Sequence, residues 1–476
     1  MTSYTGIPLQ RACQGKVRRL LAALLLSGLL AVVMAATHAP RAVAAEPGVG
    51  VSASSGLQLA DVKALGTHWV RIFVSWRTLQ PTRGAVAPSA LASYEQVFKQ
   101  LPAGTKVILD VVGAPQWETG SANEYTPPAN PNDYAAFLGV LAQRWGTRVA
   151  AYEIWNEEDS AGYWAAGPNP AAYAQLLKAT YPVIKAANPN AMVVTGGLAG
   201  NDYPFLEGVY QAGGKGSFDA VAVHTDTACN VLSPYVFLRG ADGRMIPDSF
   251  LAYREVHATM LANGDDKPIW MTELSWRTTT ATCAEGAWAG QKPQGVGSEE
   301  QATYLRQAYH CLAQDPYVQV ALWFGLQDEG AVVSGLVRAD GSRKPSFAAM
   351  HAYVGEGDTL TEPCGVFTGP KITVASPANR VTYEGPLPIH VTATSPQGVY
   401  RIKLEIDGKV IRNYGGPACP ATLAGVLNWQ GAKHISYGRH TLTFLAYDKQ
   451  QNVSRTRLTV YHRKPKTKHR HYGKRH

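Results

Sequence analysis

Charge is scarce in this chain of 476 residues: Asp, Glu, Lys and Arg make up 17% of it, against about a quarter in an ordinary soluble domain. Hydrophobic residues reach 46%, so the composition excludes a disordered chain. Cysteine is scarce too, with six in all and no pair at C-x-x-C spacing. A small disulfide-stapled scaffold and a zinc or redox motif are therefore excluded. No H-E-x-x-H occurs, so the sequence offers no metallohydrolase signature, and no metal or organic cofactor is expected. Signals of a serine hydrolase are absent. Gly213-Gly214-Lys215-Gly216 precedes a candidate strand instead of following one, the reverse of a phosphate-binding loop. Apart from one N-terminal run, no stretch is long and apolar enough to span a membrane.

The net charge of +9 resembles a nucleic-acid signal until it is divided along the chain. Residues 1–45 hold five Lys/Arg and no acid, and residues 463–476 hold seven and no acid. The remaining body has 32 basic against 35 acidic side chains and sits at −3. It has no global basic footprint, and nucleic acid is excluded as a partner.

The two ends read separately. Arg11, Lys16, Arg18 and Arg19 precede an apolar run from Leu20 to Ala36, and Ala42-Val43-Ala44 has the small-x-small form of a signal-peptidase site. Residues 1–45 are expected to be a secretory signal, with an uncleaved anchor as the alternative. The mature protein is then extracellular or associated with the cell wall. The tail from Arg463 to His476 alternates Lys, Arg and His; it is expected to be disordered and to hold anionic wall polymers by charge, or to serve as a solubility tail. Cys13 leaves with the signal and five cysteines remain. The expected bridges are Cys229–Cys283 and Cys364–Cys419, with Cys311 buried on a helix.

Between the ends, short β-branched runs alternate with helix-length amphipathic segments from Pro47 to about Tyr353. Eight candidate strands can be counted: 48–52, 69–75, 106–112, 149–155, 192–196, 220–224, 269–273 and 320–324. That number and rhythm predict an α/β fold, a (β/α)8 TIM barrel over residues 46–360, with a doubly wound sheet as the alternative. Asn132-Asp133 is expected to open a helix running to Arg144. Ser298 with Gln301 three residues on reads as a capping box for the helix that carries Cys311. After a linker at 361–370, alternating runs at 389–394, 402–406, 441–446 and 457–461 predict a small all-β Ig-like sandwich over 371–462. An Asp407-Gly408 hairpin turn follows the second of these runs.

Two strand ends carry acids. Tyr152-Glu153-Ile154-Trp155-Asn156-Glu157 ends the fourth strand, and Trp270-Met271-Thr272-Glu273-Leu274-Ser275-Trp276 ends the seventh. A carboxylate in a half-desolvated barrel mouth is costly unless it is paired or has chemistry to do. Parallel strands bring Glu157 and Glu273 to the same rim, an arrangement suited to glycoside hydrolysis. For an isolated Glu, a helix cap or a salt bridge is the better reading; two at matching positions favour chemistry. Glu158 and Asp159 are expected to lie beyond the site, in solvent.

This pattern resembles the (β/α)8 retaining glycosidases of glycoside hydrolase clan A, in particular the families of β-xylosidases, cellulases and exopolysaccharide endoglycosidases. The likeness covers residues 48–355. Trp69-Val70-Arg71-Ile72 with Trp76, Pro115-Gln116-Trp117, His224 and Trp323 support it. The resemblance implies a secreted, monomeric hydrolase that cleaves β-glycosidic bonds of a polysaccharide or oligosaccharide by double displacement. It makes Glu157 the general acid/base, Glu273 the nucleophile and Asn156 the donor to the sugar 2-hydroxyl. Arg71 is expected to orient Glu273 or to pair with Glu153. His224, Asp226, Trp76, Trp117, Trp276 and Trp323 complete the expected substrate contacts, the tryptophans by stacking on sugar rings. Asp226 departs from the pattern, because such families often carry an aromatic, usually Tyr, two residues after the His of the sixth strand. The competing reading is a non-catalytic carbohydrate-binding or wall-adhesion protein on the same barrel.

Overall fold

The apolar runs form eight strands: β1 (Glu46–Val51), β2 (Trp69–Ser75), β3 (Lys106–Val112), β4 (Ala151–Ile154), β5 (Met192–Thr195), β6 (Val221–His224), β7 (Ile269–Leu274) and β8 (Val318–Trp323). The computed structural model describes residues 45–51, 58–225, 232–237, 239–240, 242–284, 290, 293–365, 369–396, 398–416, 418–429, 436–448 and 452–464. All pairings among the eight strands are parallel, in the order β5-β4-β3-β2-β1-β8-β7-β6. Bridges from Val194 to Ala220 and from Leu198 to Val223 join the two outer strands and close the barrel. Because β1 lies between β2 and β8, the doubly wound alternative is ruled out.

Period-2 alternation sorts the side chains. Trp69, Ile108, Ala151, Val194, Ala222, Trp270 and Leu322 form the floor inside the barrel. Val70, Ile72 and Val74 of β2 point the other way, into the shell between strands and helices. Two steps up from the floor, at 71, 110, 153 and 272, the inward residues are polar and buried.

The helices largely follow expectation, with two corrections. The helix Pro131–Trp145 begins one residue before Asn132, with proline in its first turn and Asn130 as its cap, accepting from the Asn132 amide. The helix Ser298–Gln314 has Gly297 at its N-cap and no side-chain cap, so the expected capping box does not form. Gln301 is instead buried and donates to the carbonyls of Trp276 and Ser334 in neighbouring loops.

The cysteine pairing is also corrected. Cys311 on that helix is bonded to Cys364, and Cys419 is free. Cys364, within the expected linker, packs into the barrel core and so meets the helix Ser298–Gln314 instead of the C-terminal strands. Cys283 is disulfide-bonded; its expected partner Cys229 lies outside the described residues.

The C-terminal strands β9 (Lys371–Ser376), β10 (Thr382–Tyr383), β11 (Leu387–Thr394), β12 (Val399–Ile406), β13 (Lys409–Gly415), β14 (Thr422–Trp429), β15 (Gly438–Asp448) and β16 (Val453–His462) make two sheets, β10-β16-β15-β12-β13 and β14-β11-β9. Their apolar faces enclose a separate core of residues such as Ile389, Leu404 and Phe444. Asp407 and Gly408 form the β12–β13 turn with φ of 49° and 82°, the doubly left-handed geometry that suits the sheet twist. The N-terminal residues 1–44 and the tail beyond 464, on which the signal and tail expectations rest, lie outside the described residues. Among the described residues no helix is long and apolar enough to cross a membrane.

Candidate active site

The site is built upward from Arg71, whose inward position on β2 carries it from the barrel floor toward the mouth. Its Nε donates to Glu153 at 2.6 Å, Nη1 to Glu273 at 2.6 Å, and Nη2 to Asp110 at 2.8 Å and to the Asn156 carbonyl oxygen at 2.9 Å. Arg71 thus contacts both of the residues expected as its partners, Glu153 and Glu273. The fork geometry of a guanidinium is what lets one cation serve three carboxylates.

Glu273 reaches this network through a break in the strand register. Pairing of β7 with β6 shifts at Val223/His224, and pairing with β8 shifts between Met271 and Leu274. A bulge of this kind turns two successive side chains inward. Thr272 donates to Glu153 at 2.8 Å while Glu273 bonds Arg71.

Opposite, the chain leaves β4 with left-handed backbone at two non-glycine residues, Trp155 (φ 67°) and Glu157 (φ 42°). Such strain persists only where the surroundings over-determine it. Here they do: the Tyr134 hydroxyl accepts from the Trp155 amide, the Tyr173 hydroxyl donates to the Ile154 carbonyl, and the Trp155 indole donates to the Tyr163 carbonyl. The twist delivers Glu157 into the mouth with 22% of its side chain exposed, against 8% for Glu273.

His224 stands between them. Nδ1 lies 3.0 Å from Glu157, Nε2 lies 3.2 Å from the Thr272 hydroxyl, and Glu273 is 3.7 Å away. A Cβ on Gly197 would collide with its imidazole, so glycine is required there. Glu157, His224 and Glu273 bring donor atoms within 4.8 Å of one another, the composition of a possible metal site. His224 already hydrogen-bonds Glu157 and Thr272, and Arg71 places a cation on Glu273.

Burial and charge set the protonation. Burial alone would lower His224, but the carboxylates Glu273, Glu153 and Glu157 outweigh it and raise it well above the usual imidazole range. Burial opposes the charge of Arg71 as well, and its three carboxylates hold it firmly cationic. Burial would raise Glu153, but Arg71 and His224 bring it below the ordinary carboxylate range. Asp110 goes the other way, pushed well up by burial against the pull of Arg71, with Oδ1 lacking a hydrogen-bond partner. Burial also raises Glu273, against the pull of His224 and Arg71.

Several expectations need correction. Trp76, Trp276 and Trp323 are fully buried in the shell between strands and helices, not in the mouth. Their parity is the reason: 76 continues the outward series 70, 72, 74, and 323 shares the outward side with 321, while 320 and 322 face the barrel interior. Their indoles are spent on Gln80, Leu232 and Ser334. Trp117 is half-buried against Trp76, beneath the Arg83 guanidinium, and donates to the Gln80 carbonyl. Glu158 is not solvated but fully buried, with neither carboxylate oxygen bonded, and Asp159 is partly buried beside it. Burial raises Glu158 well above the ordinary range and Asp159 to about 8. Asp226 lies outside the described residues.

Other residues went unnoticed in the sequence. Asp110 and Thr272 share the inward parity of Arg71 and Glu153, which would have revealed them. Phe73, one step above Arg71, is 39% exposed and tilts against Tyr163 at 6.5 Å, which in turn meets Tyr125 at 4.8 Å. The Tyr163 hydroxyl is raised by burial and by the charges of Glu273 and Glu157. Tyr163 comes from an irregular loop and carries no periodic signal.

The cellulase profile, glycosyl hydrolase family 5, matches residues 54–222, less than half of the chain. A family 39 glycoside hydrolase from Bacteroides cellulosilyticus WH2 is 20% identical, with a TM-score of 0.53 over 81% of this chain and 79% of that one. What this chain shares with that structure is the (β/α)8 barrel fold. A monomeric beta-xylosidase from Caulobacter crescentus CB15 is also similar, at 17% identity and a TM-score of 0.50 over 76% of this chain and 82% of that one. No curated protein matches the sequence.

Proposed function

We propose that the protein is a secreted retaining glycoside hydrolase that cleaves β-glycosidic bonds of a polysaccharide or oligosaccharide. The observation that carries this reading is the separation of no more than 4.8 Å between an oxygen of Glu157 and one of Glu273. An inverting enzyme needs about 6.5 Å or more between its carboxyl groups to admit a water, whereas direct attack on the sugar needs about 5 Å.

In the proposed cycle, Glu273 attacks the anomeric carbon while Glu157, the more exposed acid, protonates the departing oxygen. The resulting glycosyl ester on Glu273 is hydrolysed by a water that gives its proton to Glu157. Arg71 holds Glu273 in line and favours its anionic form. Asn156 gives its carbonyl to Arg71, and its amide nitrogen donates to no described residue, which leaves it free for a sugar hydroxyl. Phe73 and Tyr163 offer apolar faces for a pyranose ring. Residues 1–45 support export, and monomeric action fits a site contained within one barrel.

The test is turnover of a panel of wall and extracellular polysaccharides by Glu157→Gln and Glu273→Gln. Both variants are expected to lose activity by about three orders of magnitude or more with the fold retained. Full activity in either would remove that residue from the mechanism.

A further inference from the structure

The loop that follows β6 and His224 carries a second polar surface where it meets the sandwich. Arg239, Gly240 and Asp242 on the barrel side face Tyr400, Arg401, Lys403 and Tyr447 across a groove of about 700 Å³. Its charges are unevenly paired. Lys403 is bonded to Glu405 at 2.9 Å, while Arg239 and Arg401 have no carboxylate partner among the described residues. Asp242 spends Oδ1 on the Arg244 amide, and Asp448, next along the chain from the lining residue Tyr447, accepts from the backbone and side chain of Asn452. No acid occurs in the sequence at 238, 241 or 449–451, the positions adjoining these lining residues.

The two arginines are held ready. Arg401 lies over Tyr447 at 4.7 Å and near Tyr400 at 5.9 Å, and its buried Nε has no hydrogen-bond partner. Arg239 rests over Phe237 at 5.2 Å, with Nη1 donating to the Gly243 carbonyl and Nε reaching Asn452 at 3.5 Å. Stacked guanidinium groups lose little freedom when they bind, and their parallel N–H bonds match a carboxylate. The tyrosine rings beside them suit the C–H face of a sugar.

We infer that this groove is an accessory site for an acidic glycan, which it holds by the carboxylate of a uronic acid residue between Arg239 and Arg401. The site does not depend on Glu157 or Glu273, and it would keep an acidic polymer on the side of the barrel from which the His224 loop emerges.

Calorimetric titration of the full-length protein with a hexauronate oligosaccharide tests this, with a neutral hexaglucan as control. The acidic oligomer is expected to bind, to bind equally to Glu273→Gln, and to weaken about tenfold or more in Arg239→Gln/Arg401→Gln. Raising the salt from about 50 to about 300 mM should weaken it as well. Turnover of a short aryl glycoside should be unchanged in that double variant, so a failure of the groove and a failure of the catalytic reading are told apart. The inference is overturned if the acidic oligomer does not bind, if the neutral oligomer binds as well, or if the double variant binds undiminished. Complete displacement by inorganic phosphate at equal concentration would also overturn it, in favour of a phosphate-bearing ligand.

Discussion

Arg71 is the residue on which the buried charges depend, since Asp110, Glu153 and Glu273 all bond it within 2.8 Å. Removing one partner of a buried pair leaves an uncompensated charge, at a cost of about 3–5 kcal/mol. Arg71→Met is therefore expected to lower the thermal midpoint strongly and to abolish turnover, while Arg71→Lys keeps the charge and recovers part of the stability but little of the rate. Calorimetry and initial rates on the same preparations check both.

Glu158 and Asp159 make stability depend on pH with a definite sign. Their folded values are raised, Asp159 to about 8, so the folded chain holds protons that the unfolded chain releases above about pH 4. Stability is then lost as pH rises through the window from about 4 to about 8. His224, raised above the usual imidazole range, acts with the same sign above about pH 6.5. The thermal midpoint should be higher near pH 5.5 than near pH 8.5, and Glu158→Gln should reduce that difference. An unchanged or reversed slope in the variant would show that Glu158 does not carry the effect.

At the scale of strands and helices, the sequence made the barrel legible because its strands are short apolar runs rich in β-branched residues, two of which end in acids. All eight expected strands form, and β2 and β3 have the expected limits. Parity alone turns Arg71, Asp110 and Glu153 inward and Trp76 and Trp323 outward, whereas nearness to a strand end carries no such information. The bulge at Thr272 and Glu273 is invisible in sequence because it depends on the register of both neighbouring strands. The Cys311–Cys364 bridge was equally hidden, because it depends on how the segment after the last barrel helix returns across the helix Ser298–Gln314. That bridge closes a sequence separation of 53 residues, for which loop-closure entropy gives about 4 kcal/mol. Cys311→Ser/Cys364→Ser is expected to lose about that much in a denaturant titration, with the activity of the folded fraction unchanged.

At the scale of the whole molecule, two separate cores share one chain, and the positive charge gathers at its ends. If the basic tail tethers the protein to anionic polymers, the full-length protein should elute from cell envelopes at higher salt than a form ending at His462. Identical elution would leave the tail as a solubility device. Neither outcome touches the central claim, which is that Glu157 and Glu273 act on one sugar from opposite sides within 4.8 Å. The most direct measurement of that claim is the anomeric configuration of the first product, followed by proton NMR before mutarotation. Double displacement predicts that a β-linked substrate releases the β-anomer first, whereas initial release of the α-anomer would contradict the account.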